Sequence, residues 1–234
     1  MLFKPNNLLE YETVYTIAVD EGRVSPSEST NLSKASVIDT TYNANFITML
    51  ENDVNGDGLA NIFVPARTWQ GGTTGEGGTG RGRCYLFYGG DGIVSKNAAA
   101  ADAIISGENN DDQMWGFLSN DVNDDGYSDL ISISISYGNG RGRIYVFYGG
   151  TGDMPISGDI GAANADLIMT GSADNDIFLF PYLGDVNGDG YTDIAVPASG
   201  CNTGTGCVYV FFGPDFVSET SAGADVTLTC LLYT

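Results

Sequence analysis

No histidine occurs in the 234 residues, which excludes every centre that relies on imidazole: Ser-His-Asp and Cys-His nucleophile pairs, a histidine general base and a histidine-ligated zinc. Basic residues are nearly as scarce. Nine Lys and Arg stand against thirty Asp and Glu, a net charge of −21, and none lies beyond Arg143. A chain of that sign is repelled by phosphate backbones and anionic lipid, so nucleic acid and membrane are set aside as partners. No apolar run approaches the roughly 20 residues of a spanning helix. Residues Met1–Gly22 lack a basic segment followed by an apolar core, so no signal peptide is expected in this stretch. Cysteine is limited to Cys84, Cys201, Cys207 and Cys230, none in a CxxC pair, which argues against a zinc–thiolate site. Cys201 and Cys207 flank a short turn and can bridge across a hairpin, which would imply an oxidising compartment; two small buried residues are the alternative.

Glycine, by contrast, is abundant, with 33 residues. Together with many Tyr, Phe, Val and Ile it favours short strands and tight turns over helices. Three acidic stretches organise the rest: Asp53–Asn61 (DVNGDGLAN), Asp121–Asp129 (DVNDDGYSD) and Asp185–Asp193 (DVNGDGYTD). Each carries oxygen-bearing side chains at positions 1, 3, 5 and 9 and a glycine at position 6. Alternate oxygens in a tight loop can converge on one hard cation, and Ca2+ accepts roughly six to eight such ligands in flexible geometry. An EF-hand loop needs a carboxylate at position 12, where Val64, Ser132 and Val196 stand, so that motif is excluded. Asp, Asn and Gly also favour turns without any metal. Three copies with acids in matching places point instead to calcium, one ion to each stretch.

The stretches begin at Asp53, Asp121 and Asp185, 68 and 64 residues apart, and the same parts recur around them. An apolar run precedes each (Asn45–Leu50, Trp115–Asn120, Phe178–Gly184) and another follows (Asn61–Ala66, Asp129–Ile135, Asp193–Ala198). Past a glycine-rich turn comes an aromatic run (Arg83–Gly90, Arg143–Gly150, Cys207–Pro214), then a last strand (Ala101–Gly107, Ala165–Gly171, Ala224–Cys230). Four short strands in each repeat of this length are the pattern of a β-propeller blade. Val14–Asp20 and Ala35–Asp39 align with the third and fourth strands of a preceding unit. The expected fold is therefore all-β, a β-propeller of four-stranded antiparallel blades, with a partial blade over 1–44 and full blades over 45–107, 108–171 and 172–234. Closed propellers have roughly four to eight blades. About three and a half are expected to belong to a larger ring or to self-associate through open edges, two copies supplying seven.

The run GDVNGDGYTDIAVPA (Gly184–Ala198), followed by GCVYVFFG (Gly206–Gly213), resembles the FG-GAP repeats of integrin α-subunit propellers and of bacterial extracellular proteins. The resemblance covers roughly Tyr11–Cys230, with departures: "FG" survives partly in Trp115-Gly116-Phe117, and "GAP" reads Val-Pro-Ala twice and Ser-Ile-Ser once. It implies calcium loops between the first and second strands of each blade. It also implies ligands on the opposite face, built from second-to-third-strand and inter-blade loops. Carried over, site two uses Asp121, Asn123, Asp125, Asp129 and the Tyr127 carbonyl, and site three Asp185, Asn187, Asp189, Asp193 and the Tyr191 carbonyl. Site one uses Asp53, Asn55, Asp57 and the Leu59 carbonyl, with Asn61 replacing the final acid, and is expected to bind most weakly.

Trp69, in the inserted loop Arg67–Gly80, suits recognition or packs over its loop, and Tyr137 is placed beside it as a candidate ligand contact. Asp111, Asp112, Asp174 and Asp176, in polar inter-blade stretches, can hold a ligand-bridging cation or form solvated turns. Arg81, Arg83, Arg141 and Arg143 are expected to pair with carboxylates, and Tyr85, Phe87, Tyr145, Phe147, Tyr209 and Phe211 to pack between blades. The expected function is a non-enzymatic, calcium-stabilised module of an extracellular or cell-surface protein, binding a protein or glycan on the face opposite the metal loops. The rival readings are the propeller domain of a polysaccharide lyase or glycoside hydrolase, and a purely structural repeat of a large surface protein.

Overall fold

The computed structural model of the chain describes residues 14–17, 36–37, 44–47, 52–69, 80–90, 97–118, 121–150 and 156–229, and divides it into two compact units, Met1–Leu50 and Glu51–Thr234. The inserted-loop residues 70–79, the stretch 40–43 and Cys230 lie outside the described residues. In the first unit β1 (Val14–Ile17), β2 (Ser36–Val37) and β3 (Ala44–Ile47) form an antiparallel sheet ordered β1-β3-β2, with Tyr15 opposite Phe46. The run expected to open the next blade thus lies between the two strands expected to end the previous one.

The second unit is all-β. Its strands are β4 (Ile62–Ala66), β5 (Arg83–Phe87), β6 (Ala103–Ser106), β7 (Trp115–Leu118), β8 (Leu130–Ser134), β9 (Arg143–Phe147), β10 (Gly158–Gly161), β11 (Leu167–Thr170), β12 (Tyr182–Gly184), β13 (Asp193–Ala198), β14 (Cys207–Phe211), β15 (Glu219–Thr220) and β16 (Val226–Thr229). They form three sheets, ordered β10-β6-β5-β4, β15-β11-β9-β8-β7 and β12-β13-β14-β16. Within each, the repeat's own strands follow one another as an antiparallel meander, as the aromatic and β-branched runs lead one to expect.

Two strands correct the expectation of purely antiparallel blades. β10 and β15 come from the segment joining the third and fourth strands of a unit, and each pairs in parallel with the outer strand of the unit before. An outer strand otherwise presents a row of unpaired N–H and C=O groups, and these short strands cover part of that row. Side chains fasten them: Arg83 reaches Asp159 at 3.4 Å, Ser106 Oγ donates to Asp159 Oδ1, and Ser218 Oγ accepts from the Ile168 N–H.

The core lies between the sheets in two clusters. Cys84, Leu86 and Ile105 meet Leu130, Tyr145 and Phe147 in one, while Ile131, Ile133, Val146 and Met169 meet Phe178, Ile194 and Val196 in the other. Strand β8, beside the central β9, is buried on both faces, so its alternating Ile131, Ser132, Ile133 and Ser134 place even the serines in the interior. Gly116 is required by this packing, because a Cβ there would lie 2.5 Å from a Phe63 ring carbon and 2.8 Å from Cys84 Sγ. Burial also pushes the Cys84 thiol up to about 12, so it stays protonated and unreactive.

Candidate metal-binding loops

The three acidic stretches fold alike because one carboxylate organises each turn. Asp53 accepts from the Gly56 and Gly58 N–H groups, Asp121 from Asp125 and Gly126, and Asp185 from Gly188, Asp189 and Gly190. The position-5 acids Asp57, Asp125 and Asp189 each accept from the position-3 Asn amide and from the backbone N–H of Leu59, Tyr127 or Tyr191. The last residue does a different job. Asp129 is buried beneath its loop, taking the Val122 N–H at 2.6 Å on one oxygen and the Gly149 N–H at 2.8 Å on the other; Asp193 grips Val186 and Gly213 in the same way. This clamp ties the loop to the far end of the aromatic strand. Asn61 keeps only the first contact, Val54 N–H to Oδ1 at 2.7 Å, its amide nitrogen turning to the Leu59 carbonyl.

Each loop carries at least two carboxylates and no Lys or Arg within its own stretch. Burial raises the Asp129 carboxyl to about 7, and Asp125 and Asp121 add repulsion. Among the described residues no three of His, Cys, Asp and Glu come together at metal-binding spacing. The donor set nevertheless suits a hard cation: every candidate ligand is oxygen, and Asn55 Oδ1 at position 3 of loop one is buried with no hydrogen-bond partner.

At the opposite end of the sheets, the turns between second and third strands hold the other candidates. Trp69 sits under the Arg83 guanidinium at 3.5 Å, and Tyr137 under Arg143 at 3.7 Å. The equivalent positions in the third repeat are Cys201 and Cys207, joined as a disulfide with Cα atoms 5.9 Å apart. One clasp across the turn is therefore built by cation–π stacking twice and by a covalent bond once. Arg143 also pairs with Glu108 at 2.8 Å, and Arg141 with Asp174 at 2.7 Å, which holds the Asp174 carboxyl below its usual range. The Arg81 Nε is buried without a hydrogen-bond partner.

Asp112 and Asp176 are buried turn acceptors for the Asn109 and Ala173 N–H groups, and exposed Asp111 adopts φ 69° in the same turn. A shallow polar hollow lined by Asn109, Tyr137, Asn139, Arg141, Arg143 and Thr170 lies here. Replacing both Cys201 and Cys207 by Ser should lower stability by about 2 kcal/mol, the loop-closure value for so short a ring. Arg143→Ala should cost about 1 kcal/mol. Non-reducing thermal melts of the two variants test this ranking, and a larger loss for Arg143→Ala would refute it.

A further set of acids was not singled out as functional: Asp102, Asp166 and Asp225 each accept the backbone N–H just past an aromatic strand, from Tyr88, Tyr148 and Phe212 respectively, all at 2.8 Å. The signal was present as Ala-Asp opening each fourth strand. No helix among the described residues is long and apolar enough to cross a membrane.

Residues 182–211, which span the third acidic loop with the strands on either side and the aromatic strand, match the FG-GAP repeat model. Three curated relatives match more widely. The phosphatidylinositol-glycan-specific phospholipases D of Bos taurus, Mus musculus and Rattus norvegicus are 34%, 35% and 32% identical to this chain over 133, 127 and 133 residues. Each alignment covers 50% of this chain but 15% of the relative, so the chain spans a small part of the proteins it matches. The chain carries an FG-GAP repeat, built on the loop Asp185–Asp193 and the clamp that Asp193 makes to Gly213.

Proposed function

We propose that this chain is a segment of a calcium-stabilised β-propeller, serving in an extracellular or cell-surface protein as a non-catalytic module that binds a protein or glycan. The observation that carries the metal assignment is the buried, unpartnered Asn55 Oδ1 within a loop whose remaining ligand candidates are all oxygens. The other loops repeat the residue types and spacing, although their position-3 Oδ1 atoms accept from the Asp125 and Asp189 N–H groups, and a chain of net charge −21 gains from bound cations. Calcium would be held by the residues at positions 1, 3, 5 and 9 of each loop with the position-7 carbonyls of Leu59, Tyr127 and Tyr191. Bound there, it supplies charge neutralisation and a rigid link between first and second strands; the protein's own clamps then hold the opposite turns in place for a ligand.

The relatives are named as enzymes acting on phosphatidylinositol-glycan. A chain without histidine matching a small part of them is best read as a module accompanying such an activity rather than its centre.

Thermal unfolding in calcium and then in chelator tests the reading. A site filled at ten times its Kd should add about 1.4 kcal/mol. Calcium titration should fill the Asn61-containing site last, because it has one carboxylate fewer. A melting temperature indifferent to calcium would remove the metal from the proposal.

A further inference from the structure

The acidic loops are joined by hydrogen bonds that run from each loop to the one before it. Ser128, at position 8 of loop two, donates its N–H to the Asp53 carbonyl at 3.0 Å, and Gly150 donates to the Val54 carbonyl at 2.8 Å. Asp53 and Val54 open loop one. The two donors flank the Asp129 clamp: Ser128 precedes that acid, and Gly150 follows the Gly149 whose N–H it accepts. Gly149 itself packs on the Val54 carbonyl, which would lie 2.8 Å from a Cβ there. The close of loop two and the end of its aromatic strand thus hold the opening of loop one.

Loop three reaches loop two by another route. Its clamp glycine, Gly213, is followed by Pro214, which has no N–H to give. The position-8 residue supplies a donor from its side chain instead, Thr192 Oγ1 to the Asp121 carbonyl at 3.0 Å. Ser128, whose backbone makes the link, keeps its own hydroxyl buried and unbonded. In both cases the donor lies between two candidate ligands of its own loop, the position-7 carbonyl and the position-9 acid. The acceptor belongs to the position-1 acid of the loop before, whose carboxylate organises that turn. Ordering one loop around a cation therefore restrains the residue that opens its neighbour. The neighbouring site then has less left to order when it binds, which is the condition for positive coupling.

We infer that the cation sites of adjacent loops are coupled, occupation of loop three raising the affinity of loop two, with Thr192 the positioning residue through which they act. The coupling presupposes calcium in the loops and so rests on that reading. Repulsion between neighbouring dications opposes it. That repulsion is damped beyond about 8 Å at physiological salt, and substituting Thr192 leaves it in place.

The test is a calcium titration of the intact chain followed site by site in NMR spectra. Gly58, Gly126 and Gly190 each donate an N–H to the position-1 carboxylate of their own loop, so their amide signals report the three sites separately. Thr192→Val keeps the branched shape and removes only the hydroxyl. It should weaken calcium at loop two, read at Gly126, by roughly threefold to tenfold, the worth of one hydrogen bond. Thr192→Ser should restore the affinity, and the amide spectrum shows each variant folded. Asp189→Ala, which takes a ligand from loop three, should also weaken loop two, and should add nothing once Thr192 is replaced by valine. Two effects that simply add would mean that each residue acts alone, and would overturn the inference. Glycine signals indifferent to calcium in the wild type would remove the cation and the coupling together. Saturable signals whose Gly126 response neither variant alters would defeat the coupling and leave the calcium reading standing.

Discussion

Asp129→Ala should cost about 3–5 kcal/mol, because it strips two backbone N–H groups of their acceptor at once. Asp129 is fully buried, and its two oxygens take the Val122 N–H at 2.6 Å and the Gly149 N–H at 2.8 Å. The Val122 donor has no water to turn to, being 1% exposed, and the part-buried Gly149 packs closely on the Ser128 and Val54 carbonyls. Asp129→Asn should cost less, about 1–2 kcal/mol. An amide retains one acceptor oxygen, as Asn61 shows in the first loop, and it removes a charge that burial disfavours. Denaturant midpoints measured in chelator isolate this hydrogen-bonding effect from any metal. Repeating them in calcium should widen the gap for both variants. If Asp129→Ala lies within about 0.5 kcal/mol of wild type in chelator, the clamp does not hold the loop.

The clamp illustrates what the sequence reveals and what it withholds. The DxNxDG spacing is legible because a short polar loop is governed by contacts a few residues apart, such as Asp53 to Gly56 and Gly58. The four strands of the second and third repeats are legible because aromatic and branched runs of four or five residues have few other uses, whereas the run expected to open the first repeat pairs with β1 and β2 instead. The role of Asp129 and Asp193 is harder to see, since the partners Gly149 and Gly213 lie twenty residues downstream. The pair of glycines closing an aromatic strand is a clue only once the contact is known.

β10 and β15 leave no trace in pattern at all. Gly-Asp-Ile-Gly and Glu-Thr have little strand propensity, and they are extended because an unpaired neighbour edge is waiting for them. Trp69 and Tyr137, which the sequence offers as candidate ligand contacts, are each stacked under an arginine at the place where the third repeat has a disulfide. Lining up the three turns by their distance from the second strand would have shown that equivalence. Asp112 and Asp176 likewise read as possible ligands but fold as buried turn acceptors, a distinction that rests on burial and not on residue type.

Gly142→Ala should destabilise by about 3 kcal/mol, and Gly206→Ala, at the same place in the next unit, by about 1 kcal/mol. The two glycines have nearly the same backbone, φ 80° and 86°, so the cost of holding an alanine in the left-handed region is common to both. What differs is the neighbour. A Cβ on Gly142 would lie 2.5 Å from Phe178 Cβ and 2.7 Å from its backbone nitrogen, whereas the nearest atom to one on Gly206 is 3.8 Å away. Phe178 cannot retreat: it is fully buried, packed on Tyr209 and paired with Ala198, and the flanking Ile177 and Leu179 N–H groups are bonded to Gly140 and Pro197. Gly82 meets the same obstacle at Met114, so the close approach belongs to the contact between one unit and the next. Denaturation of both variants in dilute solution measures the difference directly, and equal losses would show that backbone strain alone is at work.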